Sequence, residues 1–311
     1  MNKKFKNVLV VLGGNSGERA VSLESGRACI KALKNKGYNV STFDPKYKNF
    51  NLINSKNINV IFNALHGRDG EDGVAQSYFE YLRIPYTHSG VISSFNAMNK
   101  VISKKIFKLN SLRSPKYFVL ERINFNKKKL KSIIKLNKIK FPIVVKPINE
   151  GSSIGVMICK DIKSLKNSTS KLFKSFSELI FEPFIGGQEI QVAVINGYPL
   201  GAIELKPKRQ FYDYRAKYSI SAKTEHIMPA NLSKKNYKKV LKIAKKAHDA
   251  LGCKGVTRSD FKFFNNKFFL LEINTQPGMT NLSLVPEIAN YKGISFENLV
   301  NKILLNASID R

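Results

Sequence analysis

Apolar runs divide the first 90 positions of the chain into alternating strands and helices. Residues 8–12 are apolar throughout, which is typical of a parallel strand buried on both faces. Strand-like runs follow at 39–43 and 59–65, and a segment with helical spacing separates the first run from the second. This alternation predicts a doubly wound parallel sheet of α/β type, in which ligands bind at the carboxyl ends of the strands.

Beyond residue 90 the pattern predicts a mixture of helices and strands without an internal repeat. The predicted helices cover 93–109, 126–140 and 232–251. The predicted strands cover 114–120, 141–147, 179–184, 189–195, 255–264 and 268–274. A short turn rich in asparagine separates the last two strands, so we expect them to form a hairpin.

Composition limits the class of protein. With 311 residues, 43% of them hydrophobic, the chain is long enough for two or three domains. Its three scattered cysteines form no CxxC pair, which argues against a zinc site or a disulfide framework. No apolar run approaches the ~18 residues of a membrane helix, and the first run is too short for a signal peptide. We therefore expect a cytoplasmic protein.

The charge balance is unusual, because 53 basic residues against 22 acidic ones give a net charge of +31. Such a field attracts nucleic acids and other polyanions. However, the basic residues are mostly lysines spread through helical stretches, and the sequence contains no zinc-finger spacing, RNP-like motif or arginine-rich arm. We interpret the excess as a solvated lysine-rich surface and predict no nucleic-acid partner.

Two polar loops follow predicted strands of the first sheet. The loop at 13–17 is glycine-rich but lacks the G-x-G-x-x-G spacing of a dinucleotide site. It leads to Glu18, whose carboxylate could hold the ammonium group of a substrate. His66 begins the second loop, and two interpretations stay open for it: a substrate contact or an ordinary structural histidine.

A Gly/Ser loop at 150–156 follows the predicted strand that carries Lys146. Without a GK[ST] sequence it is not a Walker P-loop. Its backbone N–H groups could still cradle phosphates, with charge added by Lys146. Gly/Ser loops are common, so this observation alone is weak.

The hairpin near the C-terminus provides the strongest chemical signal. If its turn has three residues, antiparallel pairing places Asp260 directly opposite Glu272. Together with Asn274 they would form an oxygen-rich cluster suited to Mg²⁺. The alternative is a polar strand facing solvent, and a two-residue turn without a bulge would place the two acids on opposite faces.

Five segments, taken together, closely resemble the D-alanine–D-alanine ligases of the ATP-grasp superfamily, and the resemblance extends from residue 8 to about residue 300. The segments are GGNSGERAVS at 13–22, ALHG at 64–67, VKP with EGSSIG at 145–155, FYDYRAKY at 211–218 and EINTQPGMT at 272–280. Their order and spacing are also those of the family. One such motif is weak, whereas five in order are highly specific.

The resemblance implies a fold, an activity and a set of partners. It implies an ATP-grasp fold preceded by a Rossmann-like parallel-sheet domain, divided as 1–90, 91–181 and 182–311, with a lid loop at 209–223. ATP would phosphorylate the carboxylate of one D-alanine, and the amine of a second would attack the acyl phosphate. The reaction would need ATP and two Mg²⁺ or Mn²⁺ ions, and the protein would be a homodimer with no membrane partner.

The resemblance also implies residue roles. ATP would be bound by Lys100, Lys146, Glu150, Ser153, Glu182, Phe184, Ile185, Glu189 and Lys217, and the metal ions by Asp260, Glu272 and Asn274. The substrates would be bound by Val21, His66, Ser283 and Leu284, with Glu18 on the first ammonium group. Arg258 and the N–H of Gly278 would stabilise the tetrahedral oxyanion. Glu18, Ser152 and Tyr218 would form a hydrogen-bonded triad that ties the substrate domain to the lid.

The sequence departs from the family pattern at two positions. Arg215 stands where the lid commonly has an acidic residue, and Asn99 stands where Asp commonly precedes Lys100. Two rival interpretations also stay open. One is a related carboxylate–amine ligase with another acceptor, although Tyr218 argues against the ester-forming relatives. The other is a basic nucleic-acid-binding protein that retains a degenerate ATP-grasp fold.

Overall fold

The computed structural model of the protein describes residues 4–207, 224–280 and 282–310. The strands are β1 Asn7–Val11, β2 Asn39–Phe43, β3 Val60–Asn63, β4 Phe118–Glu121, β5 Ile143–Pro147, β6 Met157–Cys159, β7 Glu178–Pro183, β8 Gln188–Ile195, β9 Tyr198–Lys206, β10 Glu225–Ile227, β11 Val256–Phe264 and β12 Lys267–Asn274. The helices are α1 Arg19–Asn35, α2 Val74–Tyr81, α3 Val91–Met98, α4 Lys100–Leu109, α5 Leu130–Leu136, α6 Ile162–Leu172, α7 Lys234–Ala250, α8 Leu284–Tyr291 and α9 Phe296–Leu305. Within these ranges, every helix is too short or too polar to cross a membrane.

The first sheet is parallel and has the strand order β2-β1-β3. Val8 and Val10 pack into a core on the α1 side, whereas Leu9 and Val11 pack into a second core on the α2 side. Helices therefore cover both faces, which confirms the predicted doubly wound sheet. Because β1 connects to neighbours on both of its sides, the loops after β1 and β3 meet at the carboxyl edge, where ligands bind in such sheets.

The core on the α1 side is shared with the last third of the chain. It includes apolar residues of α8 and α9 as well as those of β1, β3 and α1. The chain end also reaches the first sheet, since Tyr86, which bridges to β3, forms a β-bridge with Ser308. This core therefore contains residues from both sides of the proposed domain boundary at residue 90. The division into domains stays a prediction.

Two antiparallel sheets follow the parallel one. The four-stranded sheet has the order β4-β7-β5-β6 and packs one face on α5 and α6. The five-stranded sheet has the order β10-β9-β8-β11-β12 and packs one face on α7. The opposite face of the four-stranded sheet and one end of the opposite face of the five-stranded sheet carry charged side chains and line a common cleft. The other end of the latter face, with Ala193, Ile203 and Val256, packs into the core on the α1 side.

The single helix predicted over 93–109 is wrong, because Asn99 divides it into α3 and α4. Asn99 has extended backbone angles, and its side-chain oxygen accepts hydrogen bonds from the N–H groups of Val101 and Ile102. Asparagine is a preferred N-cap residue for this reason. The cap makes Lys100 the first residue of α4. An aspartate could make the same hydrogen bonds, so the departure at Asn99 preserves the local structure.

The turn of the hairpin also differs from the prediction. It has two residues, Asn265 and Asn266, both with positive φ, as hairpin turns of type I′ require. A register shift beyond Asp260 makes Leu271 an extra residue on β12, and this bulge restores the pairing of Asp260 with Glu272. The expected opposition of the two acids is therefore present, although it arises from a bulge and not from a three-residue turn.

We expect Asn99→Ala to lower the free energy of unfolding by about 1 kcal/mol, because α4 loses its N-cap. Asn99→Asp keeps the acceptor oxygen and should unfold like the parent protein. Denaturant titration of the three proteins measures the difference. Equal destabilisation by both substitutions would show that the cap contributes nothing.

Candidate active site

A cleft between the two antiparallel sheets collects most of the residues predicted to bind ATP. Strands β5 and β7 supply one wall, and β8, β11 and β12 supply the other. The predicted residues that line it are Lys100, Lys146, Glu150, Ser153, Glu182, Phe184, Ile185, Glu189, Asp260 and Glu272. Strand alternation explains the placement, since Ile143 and Val145 of β5 face the core behind the sheet while Val144 and Lys146 face the cleft.

Glu182 is the centre of a buried charge cluster. Its two carboxylate oxygens lie 2.7 Å from Nζ of Lys104 and 3.0 Å from Nζ of Lys146. Burial opposes ionisation of this carboxyl, but the two ammonium groups keep the pKa of Glu182 below its ordinary value. Burial lowers the pKa of Lys104, whereas Glu182 and Glu272 raise that of Lys146 against the effect of burial. Lys104 is not among the site residues predicted from the sequence.

The opposite wall carries a second buried pair. Glu189 on β8 stands opposite Lys262 on β11, and Nζ of Lys262 lies 2.9 Å from Oε2 of Glu189. Both side chains line the cleft. The cross-strand register makes this contact, and the sequence analysis did not identify Lys262.

The acids predicted to bind metal are adjacent to two cations. The Arg258 guanidinium donates two hydrogen bonds to Asp260, at 2.8 and 2.9 Å. Nζ of Lys100 lies 3.5 Å from Oε2 of Glu272 and donates to the carbonyl of Glu150 at 2.6 Å. Carboxylate oxygens are ligands that Mg²⁺ prefers, and each of these two carboxylates is paired with a cation here.

Asn274 is the third residue predicted to bind metal, and it lies two positions after Glu272 on the same face of β12. Its side-chain oxygen accepts a hydrogen bond from the N–H of Gln276 at 2.8 Å. No group of three or more His, Cys, Asp or Glu side chains suited to a metal occurs among residues 4–207, 224–280 and 282–310. The candidate set is therefore two carboxylates and one amide oxygen, which fits a hard divalent cation that also binds phosphate oxygens.

A second cleft adjoins the first and collects part of the residues predicted to act on the amino acids, whereas Val21, His66, Ser283 and Leu284 do not line it. It is lined by Glu18, Glu71, Gly151, Ser152, Arg258, Asn274 and neighbouring residues. Three residues, Lys100, Glu150 and Glu272, line both clefts. A group bound at the inner end of one cleft would therefore lie next to a group bound at the inner end of the other.

Glu18 is fixed between two glycines at the start of α1. Ser152 donates a short hydrogen bond to its carboxylate. A Cβ atom at Gly67 or Gly151 would lie 2.7 or 2.8 Å from Oε2 of Glu18, so a side chain at either position would displace this carboxylate. The Glu18 carboxylate thus links the Gly/Ser loop to the loop after β3, and the triad of Glu18, Ser152 and Tyr218 stays a prediction.

His66 lies behind Glu18 in a buried polar chain. Its Nδ1 is 2.8 Å from Oε1 of Glu71, and its Nε2 is 3.2 Å from Oγ of Ser25. Burial raises the pKa of Glu71 to about 7, and the Glu71 carboxyl raises the pKa of His66 against the effect of burial. Both side chains are at least nine-tenths buried. Glu71, which the sequence analysis did not single out, is the partner that holds His66.

Ser283, predicted to bind the second substrate, lies close to three other predicted site residues, Val21, Gly278 and Leu284. A Cβ atom at Gly278 would lie 2.9 Å from Oγ of Ser283 and 3.9 Å from Val21, and Leu284 follows in α8. Oγ of Ser283 accepts a hydrogen bond from the N–H of Thr280 at 2.9 Å.

Gln276 attaches this segment to the first sheet. Its side chain accepts a hydrogen bond from Asn63 at 2.9 Å and donates a short one to the carbonyl of Leu65. Gln276 lies within a matching motif, but no sequence pattern pointed to these contacts. Of the remaining predicted residues, Lys217 and Tyr218, with the lid at 209–223 and Arg215, lie outside the described residues.

Comparison with known proteins identifies the family. The family model described as "D-ala D-ala ligase C-terminus" matches residues 106–305. A D-alanine--D-alanine ligase from Pelagibacter ubique is 57% identical over 309 residues, which are 98% of this chain and 99% of that protein. The chain belongs to the D-alanine–D-alanine ligase family. The enzyme class expected from the five motifs is therefore confirmed.

Solved structures agree with the D-alanine–D-alanine ligase assignment. The Bacillus anthracis D-alanine--D-alanine ligase complexed with ATP matches with a TM-score of 0.84 and 32% identity, over 98% of this chain and 97% of that one. The VanG D-Ala:D-Ser ligase from Enterococcus faecalis matches with a TM-score of 0.83 at 24% identity, over 96% of this chain and 98% of that one, and so shows the fold alone. The predicted ATP-grasp fold with a preceding parallel-sheet domain is confirmed.

The pair of His66 and Glu71 in this ligase predicts a pH dependence of stability. Both pKa values are raised, so the folded chain binds protons more tightly than the unfolded chain does. The free energy of unfolding should therefore fall as the pH rises from 4.5, the ordinary value for Glu, to about 7, and His66 extends the fall above 6.5.

Denaturant titrations between about pH 5 and about pH 8 measure this fall. Glu71→Gln removes one titrating group and should flatten the profile. The matched control is Glu287→Gln, because Glu287 contacts His226 at a more exposed position, 2.7 Å from its Nδ1. The interpretation is wrong if Glu71→Gln and the control give the same profile as the parent.

Proposed function

We propose that the protein joins two D-alanine molecules to D-alanyl-D-alanine, using ATP and releasing ADP and phosphate. The observation that supports this function is the junction of the two clefts at Lys100, Glu150 and Glu272. A nucleotide in the first cleft would direct its terminal phosphate toward an amino acid held by Glu18 in the second. Family membership supports the same reaction.

The proposed reaction has two steps, and each places negative charge on oxygen atoms. First, a carboxylate oxygen of one D-alanine attacks the γ-phosphorus, and ADP leaves. Second, the amine of the other D-alanine attacks the acyl carbon, and phosphate leaves with the former carboxylate oxygen. Stabilisation of charge, not a protein nucleophile, is the main requirement.

In the first step Lys100 and Lys146 would neutralise phosphate oxygens, and Lys217 of the lid would join them. Glu182 and Glu189 would hold adenine and ribose, with Phe184 and Ile185 beside the base. Glu150 and Ser153, which line the same cleft, belong to this set. Asp260, Glu272 and Asn274 would hold two Mg²⁺ or Mn²⁺ ions, which neutralise phosphate charge when bound.

In the second step Glu18 would keep the first D-alanine in place through its ammonium group. Arg258, on the wall of the substrate cleft, and the N–H of Gly278 would stabilise the oxyanion of the tetrahedral intermediate. Ser283 would bind the carboxylate of the second D-alanine, next to Val21 and Leu284, and His66 would lie near the first. Tyr218 with Ser152 would hold the lid closed, which protects the acyl phosphate from water.

The proposal includes a cellular setting. D-Alanyl-D-alanine would supply peptidoglycan precursor synthesis in the cytoplasm, and a homodimer is the expected form. The three cysteines are unpaired and buried, which is consistent with a reducing compartment. We attribute the net charge of +31 to the surface lysines and expect no nucleic-acid or membrane partner.

We expect ADP release with D-alanine and not with L-alanine, and D-alanyl-D-alanine as the main product when D-serine or D-lactate competes as acceptor. The amine of the second substrate must lose a proton, so amide formation should increase as the pH rises from about 6 to about 9. Coupled ADP assays and product analysis measure both. An ester or a D-serine product at neutral pH would show that the acceptor is wrong, and no ADP release with D-alanine would reject the function.

The metal assignment predicts that Asp260→Asn and Glu272→Gln each weaken Mn²⁺ binding in the presence of ADP by about tenfold or more. Both substitutions remove a charged oxygen ligand and should also abolish ligation. Electron paramagnetic resonance of Mn²⁺ measures binding directly. Asp249→Asn is the control, because Asp249 pairs with Lys245 on the exposed side of α7. Unchanged Mn²⁺ affinity in both cleft variants would refute the assignment.

A further inference from the structure

Lys104 is a buried lysine one helical turn beyond Lys100 on α4. The buried face of α4 consists of Lys100, Ser103, Lys104 and Phe107. The Lys104 side chain has no solvent exposure, and its Nζ lies 2.7 Å from Oε1 of Glu182. The ring of Tyr117 covers the ammonium group at 5.9 Å. Lys104 therefore lies behind Glu182, on the side away from the cleft.

The charges of this cluster do not balance. Lys146 already pairs with the second oxygen of Glu182 at 3.0 Å, so two ammonium groups share one carboxylate. Glu272 also acts on Lys146 but pairs with Lys100 at 3.5 Å, so the three buried lysines exceed the two carboxylates by one charge. Burying a lysine costs several kcal/mol unless its charge is compensated. A second buried lysine on an already paired carboxylate is therefore unfavourable for stability, which suggests a role in binding.

We propose that Lys104 is a positioning residue for ATP, which compensates Glu182 so that the charge of Lys146 is available to the phosphate groups. Lys146 and Glu182 both line the nucleotide cleft. Glu182 faces Lys104 with one oxygen and Lys146 with the other, so the surplus positive charge is displayed by Lys146. This inference rests on the proposed function in so far as ATP is the ligand of the cleft.

The charge balance makes the effect specific to phosphate. Without the charge of Lys104, Glu182 compensates Lys146 alone, and the cluster becomes neutral. ATP would then lose attraction for its phosphates, whereas adenosine, which has no phosphate, would not. A purely structural role for Lys104 would weaken both ligands together, because the pocket itself would be disturbed.

Calorimetric titration of the full chain with ATP and with adenosine tests the proposal. Lys104→Met should weaken ATP binding by about tenfold or more and change adenosine binding less than about twofold. Glu182→Gln should shift the ratio of ATP to adenosine affinity in the opposite direction, and the double variant should return it close to the parent value. Lys105→Met, on the exposed side of α4, is the control and should keep the parent ratio.

Three results would overturn the proposal: an unchanged ratio in Lys104→Met, equal loss of ATP and adenosine, or no recovery in the double variant. Thermal unfolding shows whether Lys104→Met folds. If it does not fold, the ratio of ATP to adenosine affinity in Glu182→Gln tests the proposal by itself, and an unchanged ratio there rejects it. Failure of the proposed function is distinguishable, since the parent protein would then bind no ATP or release no ADP with D-alanine. A parent that does both, together with an unchanged ratio in the variants, rejects only the role of Lys104.

Discussion

The structure depends on keeping ionised side chains charged while they are buried between the two antiparallel sheets. An unpaired buried charge costs several kcal/mol, so each such group in the cleft needs a partner at hydrogen-bond distance. Strand register provides these partners: Glu189 stands directly across from Lys262, and Glu182 lies one diagonal step from Lys146. The same register that forms the sheets therefore also fixes the charges that would receive a triphosphate.

A second constraint is the close approach of backbone to the Glu18 carboxylate, which links the loop after β3 of the first sheet to the Gly/Ser loop. Gly67 and Gly151 approach it from opposite loops, and a Cβ atom at either position would displace it. Gly67 also has φ of +70°, a conformation that side chains disfavour. Since Ser152 donates to the same carboxylate, movement of either loop would be transmitted to the substrate cleft.

Much of the fold follows from sequence periodicity, and most of the site follows from motifs. Apolar runs predicted β1 and the C-terminal hairpin because these strands are recognisable from the local sequence alone. Helix α6 was missed because its Ser, Thr and Asn residues have low helix propensity, and its stability comes from packing on the four-stranded sheet. The bulge at Leu271 was also unpredictable, since only tertiary pairing shows which residue is extra. Glu71 was missed for the same reason, because its partner is defined in space.

Lysine illustrates why composition and position give different information about function. Many lysines of the described residues lie on exposed helix faces such as that of α7, where a charge contributes little to stability. Lys100 and Lys104 differ in one respect that the sequence does contain: they share a helical face with Phe107, which is fully buried. A lysine at i+3 or i+4 spacing from core residues must either be paired or lose its proton. Such a lysine needs a carboxylate partner, and Glu182 is the partner of Lys104. Because Glu182 also pairs with Lys146, one positive charge stays uncompensated, and we place it on Lys146, which faces the cleft.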